Sequence, residues 1–184
     1  LYSQDEAFLE KYYPILRSCC EFFFDTLQED PATKLLIVNP STSPENGGLR
    51  RAAAMDNQIL RDLFDATLKA GEILNKAEGF QNKLKDYLNR LMPHQIGGWG
   101  QLQEWLLDDI DRKDDQHRHL SHLYAMYPSS QISKRGTPEL FQAAMKSLEA
   151  RGDGGTAWTK SWKIGLRSRA EQGNHAYELL SDMF

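Results

Sequence analysis

No apolar run in this sequence approaches the roughly 18–20 residues that cross a bilayer as a helix, so no membrane span is expected. Cysteine is scarce: the only two, Cys19 and Cys20, are neighbours. Adjacent residues of a helix point in different directions, so these two do not pair, and a disulfide framework is excluded. Both read as buried thiols. An excess of positive charge is missing as well. With 22 Lys and Arg against 26 Asp and Glu, the net charge is −4. That argues against nucleic acid or an anionic membrane as the main partner and suits a neutral ligand. The glycine-rich signatures that cradle phosphates or dinucleotides are absent, as is a Gly-x-Ser-x-Gly elbow. No stretch alternates apolar and polar residues convincingly, so no strands are expected.

What is present is a globular composition, 40% hydrophobic and 26% charged over 184 residues. Phe8, Tyr12, Ile15, Cys19, Phe22 and Phe23 recur at three- and four-residue steps and predict a first helix, ended by Asp30-Pro31. "KLLIVNP" (34–40) reads as an extended approach to a loop. A second helix is expected from Ala53 to Asn75, with Ile59, Leu60, Leu63, Phe64, Thr67, Leu68 and Ile73 on one face. Phe80, Leu84, Tyr87, Leu88 and Leu91 mark a third, closed by Pro93. Short helices are expected around Leu102–Leu107 and from near His119 to just before Pro128. Thr137-Pro138-Glu139 opens another that runs to Ala150. Two more follow, divided at Gly173-Asn174. The fold class that results is all-α, with helical hairpins and very unequal loops, the long loops forming one face of a toroid or solenoid. Residues 1–184 read as a single domain without an internal boundary. The chain opens at Leu1 and stops at Phe184 inside an apolar helical pattern, which reads as a piece of something longer.

Three features could carry chemistry. The loop "NPSTSPENGG" (39–48) holds one carboxylate, Glu45, between a proline and an Asn-Gly-Gly run. It reads either as an acidic residue near the start of the second helix or as a general acid. The latter needs a carboxyl on rigid backbone in a partly desolvated place. "QHRHLSH" (116–122) gathers three of the five histidines within six residues. A metal site through His117, His119 and His122 lacks the His-Glu-x-x-His spacing and places Arg118 among its ligands, which opposes a cation. A cluster at a helix start whose imidazoles and guanidinium donate hydrogen bonds to a polar ligand fits better, beside a purely structural reading. The tryptophans are the third feature. Trp99, Trp105, Trp158 and Trp162 lie in or near the long loops and helix starts, where indole faces suit a pyranose. Trp158 and Trp162, four apart, read instead as a core stripe.

"NPSTSPEN", "MDNQILRDLF", "GQLQEWLLDDIDRKDDQHRHLSHLYAMYP" and "TAWTKSWKIGLRSRAEQGNHAYELL", in this order, resemble the catalytic domain of glycoside hydrolase family 95. These are α-L-fucosidases, some of whose members act on α-L-galactosides. The resemblance implies an (α/α)6 barrel, of which this chain is a part, and inversion at the anomeric carbon without a cofactor. It implies Glu45 as the acid that protonates the leaving oxygen, and Arg118 and His119 as contacts to the sugar. The implied substrate is a fucosylated oligosaccharide or glycan, and the implied setting secreted or periplasmic. Inversion needs a second carboxyl about 6.5–9.5 Å away to activate water. In the family this is an aspartate of an Asp-Gly-Asn-Phe-Gly type motif, polarised by two asparagines, and neither motif occurs here. Residues 1–184 alone are therefore expected to be inactive. An α-L-galactosidase, or a non-catalytic helical module that binds glycans or serves as a scaffold, remain the alternatives.

Overall fold

In the computed structural model, which describes residues 5–184, the chain is mostly helical, the class expected. It divides into two compact units, one formed by the residues up to Asn39 with Ile59–Met92, the other by Pro40–Gln58 with Pro93–Phe184.

The first unit is built on α1 (Glu6–Thr26), the part of α2 (Ala54–Ile73) that follows Gln58, and α3 (Glu78–Arg90). Asp5 caps α1, its side chain accepting the Phe8 N–H at 3.0 Å. The helix stops at Thr26, short of Asp30-Pro31, because a two-residue strand β1 (Gln28–Glu29) pairs antiparallel with β2 (Leu36–Ile37). Asp30 closes the turn between them, accepting hydrogen bonds from the Thr33 N–H and hydroxyl. Cys20, Phe24, Leu36, Leu60, Phe64, Leu84 and Leu91 form the core. Phe64 is fully buried, tilted on Phe24 at 5.6 Å. Arg61 donates to the carbonyls of Leu91 and Met92 and so satisfies the chain as it leaves α3.

Most of the apolar row that marks α1 in the sequence does not pack. Tyr13, Cys20 and Phe24 point inward, whereas Phe8, Ile15 and Phe22 are more than half exposed and Tyr12 is also exposed. Cys19 likewise lies on the outside, and only Cys20 is a buried thiol. Its thiol donates to Thr67 at 3.3 Å, and burial pushes its pKa up to about 11. Helix α1 therefore carries apolar residues on two sides, a pattern that belongs to helices covered on both.

The second unit opens with a β-hairpin where a loop was expected: β3 (Ser41–Ser43) against β4 (Asn46–Arg50). Its helices are α4 (Pro138–Ala150), α5 (Ala157–Arg169) and α6 (Gly173–Ser181), together with the first turn of α2. The helices expected at 102–107 and 119–127 do not form. In their place runs a long irregular segment with one 3₁₀ turn at Ser121–Leu123. Local turns satisfy part of its backbone, and distant side chains satisfy other groups. Ser147 accepts from the Leu102 N–H, and Gln58 donates to the His122 carbonyl while accepting from the Ala125 N–H. With such partners the segment buries Leu102, Trp105, Leu120, Leu123 and Met126 without helical periodicity.

Candidate functional site

The hairpin turns on Pro44 and Glu45, with Ser43 and Asn46 as its closing pair. Proline presets the first central position of such a turn, and the second, here Glu45, takes a left-handed φ of 54°. Glycine or asparagine is usual there, and a glutamate costs on the order of 1 kcal/mol or more, so its surroundings must hold it. Gly47 makes the next step possible. It lies so close to buried Trp105 that an added Cβ would meet the indole at 2.7 Å, and its φ is 71°. Arg50 finishes the strand, paired with Asp109 at 2.8 Å and lying over the Trp105 ring.

Glu45 does not stand at the start of α2. That place belongs to Asp56, which accepts from the Ser41 hydroxyl at 2.6 Å, while Ser41 in turn accepts from the Ala53 N–H. The Glu45 side chain, more than half exposed, instead meets the "QHRHLSH" segment. Its Oε2 is in contact with the Arg118 guanidinium and lies 3.2 Å from His119 Nε2. Its backbone carbonyl is 3.1 Å from His117 Nε2. Because His117 Nδ1 accepts the His119 N–H, the neutral ring carries its proton on Nε2 and donates it to that carbonyl. Burial first, then the charge of Arg118, lower the His119 pKa, so the ring at neutral pH is an uncharged donor.

The three histidines do different things. His117 and His119 attend to Glu45, whereas His122 is fully buried with Nδ1 3.4 Å from Glu104 Oε2. Burial pushes the His122 pKa down to about 4. Among the described residues no group of three His, Cys, Asp or Glu side chains is placed to hold a metal ion.

Trp158 is not a core residue. It is half exposed, tilted on Trp162 at 5.4 Å and edge-on to His119 at 5.2 Å. With Pro44, Met55, His119 and Tyr124 these two tryptophans line a mostly apolar cavity of about 230 Å³ next to the Glu45 turn. Only Trp162 approaches the core, packing edge-on against Tyr127. An indole wall beside a carboxylate, a guanidinium and an imidazole presents both an apolar face and directed donors, the pairing a pyranose requires.

Glu104 is a site residue that none of the three sequence features singles out. Its carboxylate is buried and gathers Ser43 Oγ at 2.5 Å, Asn46 Nδ2 at 3.2 Å and Arg151 Nη2 at 2.7 Å. Burial raises its pKa, but His122, Arg151, Ser43 and Asn46 act against that, and the balance falls below the usual value. Since His122 is uncharged above about pH 4, Arg151 and the two donors stabilise the anion at neutral pH. The signal that could have found it is an acidic residue inside the apolar stretch "LQEWLL".

Residues 1–184 match, over their full length, the sequence family described as "Glycosyl hydrolase family 95 catalytic domain". The whole chain is 32% identical to "Alpha-L-fucosidase 2" of Arabidopsis thaliana, of which it covers 23%. Over 98% of its length it is 36% identical to "Probable alpha-fucosidase A" of Aspergillus niger, covering 24% of that protein. A "Probable alpha-fucosidase A" of Aspergillus oryzae is 33% identical over 80% of the chain. The chain thus spans about a quarter of the length of these curated relatives.

Proposed function

Because the chain belongs to the glycosyl hydrolase family 95 catalytic domains, we propose that its protein hydrolyses terminal α-L-fucosides with inversion, Glu45 serving as general acid. The observation that carries this reading is the Pro44-Glu45 turn, which presents a glutamate to Arg118 and His119 beside the Trp158 wall. The glycosidic oxygen sits at the Glu45 carboxyl, and the fucose takes hydrogen bonds from Arg118 and His119. Trp158 offers its ring to a C–H face of the sugar. Residues 1–184 act as part of one helical-barrel domain, and the aspartate that activates water lies elsewhere in the protein. The relatives' names support fucose as the sugar, and 2-linked fucosyl glycans, met in a secreted or periplasmic setting, are the substrates of first choice.

In the unliganded state the Glu45 carboxyl is in contact with the Arg118 guanidinium. A bound sugar draws the Arg118 donors to its hydroxyls and excludes water from the carboxyl, and both changes favour the protonated form that an acid needs.

The test is the stereochemistry of the first product. The longest natural form of the protein, given a 2-linked α-L-fucosyl oligosaccharide, is expected to release β-L-fucose before mutarotation, as seen by proton NMR. Early release of the α-anomer would refute inversion, and release of no fucose at all would refute the substrate.

A further inference from the structure

Glu104 does nothing in the chemistry proposed above, yet it is the most heavily committed carboxylate near Glu45. Its Oε1 accepts the Ser43 hydroxyl at 2.5 Å and the Asn46 amide at 3.2 Å. Those two residues are the closing pair of the hairpin, one immediately before Pro44 and one immediately after Glu45. Ser121, from the 3₁₀ turn that follows Arg118 and His119, shares a hydrogen bond with the same Ser43 hydroxyl. On its other side Glu104 is fixed by Arg151 Nη2, and Arg151 by Asp115 Oδ2 at 3.2 Å. The Glu104 main-chain carbonyl accepts the Ala54 N–H at the first residue of α2. A buried anion with this many donors is a rigid point, and both feet of the acid's turn stand on it.

We infer that Glu104 is the positioning residue of the general acid: by holding Ser43 and Asn46 together, its carboxylate fixes where the Glu45 carboxyl stands relative to the glycosidic oxygen. The inference rests on the reading of Glu45 as that acid. Its reasoning is geometric. The left-handed backbone at Glu45 does not hold itself, and its side chain, more than half exposed, is met by the half-exposed Arg118 and by His119. Precision must come from the base of the turn. A misplacement of about 1 Å at a catalytic group can cost on the order of 10²-fold in rate.

A displaced acid leaves a signature that general destabilisation does not. Protonation of the leaving oxygen matters greatly when the departing group is a sugar alcohol and little when it is p-nitrophenolate, which departs unaided. The experiment therefore compares kcat on a 2-linked fucosyl oligosaccharide and on p-nitrophenyl α-L-fucoside, using the longest natural form. The variants are Glu45→Gln, Glu104→Gln and Ser43→Ala. Ser43→Ala removes one foot of the turn while leaving the Glu104–Arg151 pair intact, which keeps the test open if Glu104→Gln does not fold. The expected result is a loss of about 10- to 100-fold on the oligosaccharide for Glu104→Gln and Ser43→Ala, with a loss on the aryl substrate at least several-fold smaller. Combining either with Glu45→Gln should add little, because both remove one function. Equal losses on the two substrates, or none, with Glu45→Gln remaining selective, would overturn the positioning role alone. A Glu45→Gln variant without selective loss would overturn the acid assignment, and this inference with it.

Discussion

Glu45→Gln is expected to lower fucose release from a 2-linked oligosaccharide by about 10²–10⁴-fold in the longest natural form of the protein, the usual effect of losing a general acid. Glutamine has the length and shape of glutamate and asks nothing new of the left-handed backbone at position 45. Its amide oxygen can still accept from Arg118 and His119, which face Oε2. The turn itself is held at Ser43 and Asn46, neither of which is touched. The substitution thus removes the proton and little else. The loss should fall on kcat, with KM nearly unchanged, because the donors to the sugar stay in place. Steady-state kinetics on the parent and the variant decide it. Unchanged kcat would reduce Glu45 to a counter-ion for Arg118 and remove it from the chemistry.

Acid is expected to destabilise the second unit through His122. In the unfolded chain this histidine titrates near 6.5, and in the folded protein at about 4, because the ring is fully buried. Its surroundings are Glu104, Arg151 and Asp115, and burial outweighs the two carboxylates. Between those pH values the unfolded state binds a proton that the folded state refuses, so stability falls as pH drops through 6.5 and the loss is complete below about 4. At about 1.4 kcal/mol per unit, the loss is roughly 3 kcal/mol. Glu104, whose folded pKa is depressed, adds to it at the lower end of the window, since its contribution is also lost on protonation. Urea unfolding of the parent and of His122→Gln at several pH values between 7 and 4 measures the effect. The variant should lose less than the parent by about the histidine's share. Parallel profiles would show that His122 is not held neutral.

Helices were readable where their signals are local. The Thr137-Pro138 start of α4 and the ends of α2 near Ala53 and Ile73 follow from propensity, proline placement and spacing. The hairpins were not, because β4 reads Asn-Gly-Gly-Leu-Arg and has no alternation to find. The segment around Leu102 and Leu120 looked helical because it is apolar. In the fold the Leu102 N–H and the His122 carbonyl are taken instead by the side chains of Ser147 and Gln58, 45 and 64 positions away. In α1 the more regular apolar row marks the helix but not its packed face, which is formed by Tyr13, Cys20 and Phe24. The odd position of Glu45 was visible in "NPSTSPENGG", and Arg118 and His119 in "QHRHLSH". Their meeting was legible only through the family resemblance, since no local pattern joins positions 45 and 119. Glu104 was harder still: a buried acid is known by its partners, and those lie 61 residues before it and 47 after.

The uncovered row on α1 has a practical consequence. Phe8, Tyr12, Ile15, Cys19 and Phe22 follow one another at alternating four- and three-residue steps, the spacing of a helix seam. In water such a row is an adhesive stripe, drawing copies together and leaving an accessible thiol in the contact. Residues 1–184 prepared by themselves are thus poor material for a sugar-binding assay, and a weak signal from such a preparation would report on colloids rather than on affinity. Light scattering under reducing conditions should come before the first substrate is added.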